Sequence, residues 1–68
     1  MEKKFAVTQF VGEKEVVLKT FDSKDEAMAY GAEVAKNNPG EIVSCVFALF
    51  NEEGKMNNRD MIIFEIWD

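Results

Sequence analysis

The chain changes from a strand pattern to a helix pattern within one short stretch, Phe21-Asp22-Ser23-Lys24-Asp25-Glu26-Ala27. Ser23 followed by Glu26 forms a capping box, in which each side chain bonds to the other residue's backbone amide. The acidic side chains that follow Ser23 also lie where the helix dipole favours negative charge. The stretch therefore predicts a helix that starts directly after Ser23.

A wide apolar stripe follows this start and defines one side of the helix. Its members are mostly small residues: Ala27, Met28, Gly31, Ala32, Val34 and Ala35. This spacing places them along one face of a helix, and their small size suits close approach to a sheet. Pro39 and Gly40 end the helix, because proline disfavours helical geometry at the residue before it.

Alternating apolar residues on both sides of the helix predict two β-hairpins. The first hairpin has strands at residues 4–11 and 15–21, joined by a turn that begins at Gly12. The second has strands at residues 41–50 and about 61–67. The predicted fold class is therefore α+β, in the order β-β-α-β-β, with a four-stranded antiparallel sheet and one helix packed on one face.

The register of the second hairpin can be read in two ways. A tight turn at Glu53-Gly54 would set Asn57 opposite Leu49 and mix polar with apolar side chains. We favour a ten-residue loop, residues 51–60, that pairs Phe50 with Met61 and keeps the two kinds apart. One face then carries Val43, Cys45, Phe47, Leu49, Ile62, Phe64 and Ile66. The other face carries Ser44, Val46, Ala48, Phe50, Met61, Ile63, Glu65 and Trp67.

This hairpin is apolar on both faces, although a single helix covers only one. We expect the helix to cover the face of Val43 and Phe47, which leaves the other face open. Soluble monomers rarely expose a contiguous apolar patch above a few hundred Å². The open face is therefore the predicted interface, and its apolar members are Val46, Ala48, Phe50, Met61, Ile63 and Trp67.

Three interpretations of the predicted interface stay open. The strands are misplaced and loops cover the face; the chain forms a homodimer, sheet to sheet or through paired edges; or the face binds another protein or an apolar ligand. We favour the homodimer, because two-fold dimers are the commonest oligomers and so short a chain buries only about 60% of its unfolded surface. Glu65 within this face is either a charge that discourages wrong pairing or a specificity charge.

The composition argues against several classes of function. The 68 residues include 13 acidic and 8 basic ones, for a net charge of -5. Nucleic-acid binding is not expected, because phosphate contacts need clustered lysines and arginines, and the charge favours a basic protein partner. No apolar run approaches the roughly 18 residues of a membrane span. We expect one domain, residues 1–68, in a reducing cytoplasm, since the single cysteine allows no internal disulfide.

The residues that usually carry chemistry do not form a recognisable site. The chain has no histidine, and Cys45 lies in the middle of a strand without a base beside it. The loop at residues 51–60 is rich in oxygen donors but lacks the ligand spacing of a calcium loop. We predict no catalytic residues, no cofactor and no metal.

The leading hypothesis is a small acidic non-enzymatic protein that acts through protein–protein contacts as a homodimer. A second hypothesis is an acidic inhibitor or nucleic-acid mimic of the kind that mobile elements encode. A third is a small-molecule binding module with a pocket at a dimer seam. The sequence does not indicate the biological process.

Overall fold

The computed structural model describes residues 2–68, which form four strands and one helix. In chain order these are β1 (Glu2–Val11), β2 (Lys14–Phe21), α1 (Lys24–Asn37), β3 (Ile42–Phe50) and β4 (Met56–Trp67). The strands form one antiparallel sheet in the order β2-β1-β3-β4. The predicted α+β fold and the β-β-α-β-β order are confirmed. The sequence left the strand order open, and the structure makes β2 and β4 the two edges.

The helix α1 begins where the sequence predicts, but the capping box does not form. Ser23 has the extended backbone of a cap residue, and its carbonyl accepts from the Ala27 amide at 3.1 Å. The Ser23 hydroxyl makes no cap hydrogen bond, so the predicted side-chain bonds with Glu26 are wrong. Among residues 2–68 there is no helix long and apolar enough to cross a membrane.

The larger part of the core lies between α1 and the sheet. Val7, Val43 and Cys45 are buried there beneath Ala27 of the helix. Around them pack the half-buried side chains of Phe5, Phe21, Met28, Tyr30, Val34, Ala35 and Trp67. Ala27 and Gly31 are both buried and Met28, Val34 and Ala35 are half-buried, so the predicted stripe faces the sheet except at Ala32, which is exposed.

A bulge changes which face of the sheet the later side chains of β2 occupy. The turn begins at Gly12 as predicted and consists of residues 12 and 13, and Gly12 has the positive φ of 66° that such hairpin turns favour. The register then shifts beside Val7, so Phe21 pairs with Phe5 and lies on the helix face. Strict alternation along β2 predicts Phe21 on the opposite face, with Val17 and Lys19, but the bulge reverses every side chain beyond it.

The second hairpin closes through a tight turn rather than the predicted ten-residue loop. The Asn51 side-chain oxygen accepts hydrogen bonds from the backbone amides of Glu53 and Lys55, each at 2.9 Å. These bonds hold a short turn, and β4 therefore starts at Met56 instead of Met61. The prediction discounted this turn because it mixes polar and apolar residues across the sheet.

A bulge in β4 explains how the polar residues are accommodated. Asn57 and Ile62 are both paired with β3, and between them β3 has one residue whereas β4 has four, which leaves three extra. Within this bulge the Asn57 side-chain amide donates to the Asp60 carboxylate at 2.9 Å. The predicted loop at residues 51–60 is thus a turn followed by a strand with a bulge.

The second face of the sheet, opposite α1, has a small core of its own. Ala6, Val46, Ala48 and Phe50 are buried there. The half-buried side chains of Val17, Met56 and Met61 pack against them. Because β4 starts early, Met56 lies directly opposite Phe50 and helps to cover it. This half of the second face, predicted to be open, is closed by the chain's own side chains.

Candidate protein interaction site

The structure separates the six residues of the predicted interface. Val46, Ala48 and Phe50 are buried, with exposed fractions of 0%, 0% and 5%. Met61 is half-buried against them. Ile63 has an exposed fraction of 49% and is accessible to a partner. The prediction that Val46, Ala48 and Phe50 are open to solvent is therefore wrong. β4 starts at Met56, and the side chains of Met56 and Met61 pack against these three residues.

Trp67 lies on the helix face, which corrects its predicted place on the second face. It pairs with Val43, and its ring packs against Gly31 of α1. Ile66, predicted on the helix face, pairs instead with Ser44 on the second face. A register shift between Cys45 and its neighbour adds one residue to β4 and so exchanges the two faces.

Four large apolar side chains are exposed at one end of the second face. They are Phe10, Ile42, Ile63 and Ile66, with exposed fractions of 38%, 45%, 49% and 56%. Phe10 and Ile42 are directly opposite each other in β1 and β3, and the two isoleucines of β4 lie alongside. We call these four residues the second-face patch.

The same part of β4 also exposes apolar side chains on the helix face. Ile62 has an exposed fraction of 58% and Phe64 of 37%. The Phe64 ring lies 5.6 Å from that of Phe5, and the Lys24 ammonium lies 4.6 Å from the Phe64 ring centroid. These contacts hold the Phe64 ring beside Phe5 and Lys24, the first residue of α1, and leave it partly exposed.

β4 is thus an edge strand with the composition of a central strand. Residues 61–67 read Met-Ile-Ile-Phe-Glu-Ile-Trp, with Glu65 as the one charge. Near-continuous apolar runs are typical of strands that are covered on both faces, whereas edge strands usually carry charges or are short. We call residues 62–66 the apolar segment of β4.

Three polar side chains, two of them buried, are linked by hydrogen bonds beside the second-face patch. Thr8 and Ser44 have exposed fractions of 0% and 2%. The Thr8 hydroxyl donates to the Glu15 carboxylate at 2.9 Å, and the Thr8 and Ser44 oxygens are 2.6 Å apart. Because Thr8 has a single hydroxyl hydrogen, Ser44 is the donor in the second bond. Each of the three side chains therefore has a hydrogen-bond partner within this group.

The remaining candidates for chemistry do not form a site. Two open clefts of about 490 and 440 Å³ flank the turn at Gly54, both lined largely by charged and amide side chains. Burial raises the pKa of the Cys45 thiol above its ordinary 9.0, while nearby Lys24 lowers it and Glu65 raises it. Within residues 2–68 no group of three or more His, Cys, Asp or Glu is arranged to hold a metal ion.

The middle of the chain is similar to one known family. Residues 12–44 match the family described as uncharacterized protein conserved in bacteria (DUF2188). The match covers 33 of 68 residues and runs from the first turn through β2 and α1 into β3. Comparisons with curated proteins and with solved structures gave no significant match. β1 and β4 lie outside the matched region, and so does the apolar segment of β4.

Proposed function

We propose that this chain is a small acidic non-enzymatic protein that acts through protein–protein contacts as a homodimer. The observation that carries the proposal is the apolar segment of β4, which exposes large apolar side chains on both faces of an edge strand. Burying such a side chain contributes roughly 1.5–3 kcal/mol. A partner that covers this segment therefore gains several such contributions at once.

The exposed apolar surface extends beyond β4. The chain exposes 4718 Å² in all, close to the roughly 4,400 Å² expected of a folded monomer of this mass. The second-face patch continues the apolar surface from β4 across β3 to β1. A typical stable interface buries roughly 800 Å² on each partner, which is about a sixth of this chain's surface.

The distribution of charge favours association through β4 in particular. Two copies that each carry a net charge of -5 repel each other. Residues 61–67 contain Glu65 as their one charged side chain, so a contact along this segment brings few charges together. A basic protein remains the additional partner that the overall charge favours. The free thiol of Cys45 supports a reducing cytoplasm as the location.

Light scattering after size exclusion tests the proposal. The wild type is expected to have twice the monomer mass of 7.8 kDa, or 15.6 kDa, at high micromolar concentration. Ile63→Lys places a charge in both the apolar segment and the second-face patch and is expected to give a monomer. Val16→Lys is the matched control, because Val16 is 42% exposed on the opposite edge strand β2. A wild type that stays at 7.8 kDa at every concentration would contradict the proposal.

A further inference from the structure

We infer that the two copies join by antiparallel pairing of β4 with the β4 of the second copy, which makes one eight-stranded sheet. The inference rests on the homodimer proposed above and specifies how it forms. A dimer packed through the second-face patch alone would leave the helix-face residues Ile62 and Phe64 exposed. Pairing through the edge covers side chains on both faces of β4, which is where they are exposed.

The two edges of the sheet differ in how well they are protected. Both edge strands contain bulges, but β2 carries Lys14, Glu15 and Lys19 within its eight residues. Charges of this kind discourage pairing with another strand. β4 has twelve residues, and its last seven include only the charge of Glu65. Of the two edges, β4 is therefore the one that accepts another strand.

Pairing of β4 with itself also closes the assembly. A two-fold axis brings the same edge of both copies together, so each copy uses its free β4 in the one contact. The ends of the eight-stranded sheet are then the two protected β2 strands. The arrangement forms a dimer and gives no template for a growing fibre.

Charges along β4 distinguish two neighbouring centres for the pairing. With the two-fold axis at Ile63, no like charges lie directly opposite each other: Asp60 of one copy lies opposite Ile66 of the other, and Glu65 lies opposite Met61. With the axis one residue later, at Phe64, Asp60 would lie opposite Asp68, and like charges directly opposite are destabilising. The charges therefore favour Ile63 over Phe64 as the centre.

This centre also places apolar side chains opposite one another. Ile63 meets the Ile63 of the second copy on the second face. Ile62 lies opposite the Phe64 of the second copy on the helix face. Directly opposed residues in antiparallel strands have Cα atoms roughly 4.5–5.5 Å apart, so these pairs come into contact. Ile62 and Ile63, at 58% and 49% exposure, would both lose solvent contact.

Two lysine substitutions distinguish edge pairing from face-to-face packing. Ile62→Lys alters β4 on the helix face, outside the second-face patch. Ile42→Lys alters the second-face patch on β3, away from the edge. Sedimentation equilibrium is expected to show at least about a tenfold weaker dimer for Ile62→Lys and little change for Ile42→Lys. Circular dichroism confirms that each variant is folded.

A cysteine introduced at the centre supplies an independent measurement. A disulfide requires Cα atoms within about 7 Å, so Ile63→Cys is expected to form a covalent dimer under mild oxidation. The wild type controls for the buried Cys45, and Val16→Cys controls for random collision through β2.

The outcomes separate the inference from the proposed function. Loss of the dimer in Ile42→Lys but not in Ile62→Lys would overturn edge pairing while the homodimer stands. Equal cross-linking of Ile63→Cys and Val16→Cys would likewise overturn it. A monomeric wild type would overturn both.

Discussion

Trp67 packs its six-membered ring directly on Gly31. A Cβ at residue 31 would lie 2.6 Å from Cζ3 and 2.8 Å from Cη2 of that ring. Glycine costs about 1 kcal/mol relative to alanine in a helix interior, and here it allows α1 to approach the end of β4. The contact ties the last residues of the chain to the core.

We expect Gly31→Ala to lower the free energy of unfolding by about 1–3 kcal/mol, because the added methyl group overpacks against the indole ring. The overpacking outweighs the gain in helix propensity. Urea denaturation measures the loss, and the emission of the single tryptophan shifts to longer wavelength if its ring is displaced into solvent.

The control for this prediction is the same substitution in a Trp67→Ala background. Without the ring, Gly31→Ala is expected to raise the free energy of unfolding by about 1 kcal/mol through helix propensity. Equal stabilisation in both backgrounds would show that the two residues do not constrain each other.

The hydrogen-bonded group of Ser44, Thr8 and Glu15 predicts a non-additive pair of substitutions. Thr8→Val keeps the shape but leaves the Ser44 hydroxyl without its acceptor, which is expected to cost about 1–3 kcal/mol. Adding Ser44→Ala removes the unpaired hydroxyl and is expected to recover most of that loss. Thermal unfolding of the two single variants and the double variant measures the coupling. Additive losses would argue against the hydrogen bond between the two hydroxyls.

The side chain of Asn51 is expected to set the turn of the second hairpin. Asn51→Ala removes the acceptor of two backbone amides and should cost about 1–3 kcal/mol. Asn58→Ala changes an exposed asparagine of the nearby bulge and should fall within about 0.5 kcal/mol of the wild type. Chemical denaturation of both compares them, and equal losses would mean that the Asn51 bonds are not decisive for the turn.

Burial of Cys45 predicts a loss of stability at alkaline pH. Its folded-state pKa lies above the ordinary 9.0 because burial disfavours the thiolate, so the folded chain holds the proton more tightly than the unfolded one. The free energy of unfolding should therefore fall as pH rises from 9.0 towards the folded-state pKa. Below pH 9.0 this contribution is constant. The difference in pH dependence between wild type and Cys45→Ala isolates the thiol, and identical slopes would contradict its shifted pKa.

The element types could be predicted from sequence, whereas the faces of the strands could not. Ser23 and Gly12 mark boundaries through local backbone geometry, and both predictions of an element boundary agree with the structure. Side-chain direction depends on register, and each bulge reverses it for all later residues. Because of the bulges beside Val7 and Cys45, Phe21 and Trp67 lie on the face opposite to the one that alternation predicts, although the strands themselves were predicted.

The candidate site was predicted in the right hairpin but with different residues. Ile63 is the residue of the predicted interface that the structure leaves well exposed. Val46 and Ala48 are covered because the hairpin closes early. The polar residues 57–60 argued against a strand in that region, so the early closure was not predicted from the sequence. The apolar run at residues 61–67 was the available signal for this site. Its apolar residues do not alternate with polar ones, and such a run is typical of a strand that is covered on both faces.

Hydrogen–deuterium exchange of the β4 amides tests edge pairing most directly, because it reads the paired backbone itself. The amides of residues 62–66 should be better protected than those of β2, the other edge, and their protection should fall on dilution from millimolar to low micromolar concentration. Protection in β4 equal to that of β2 and independent of concentration would contradict the account.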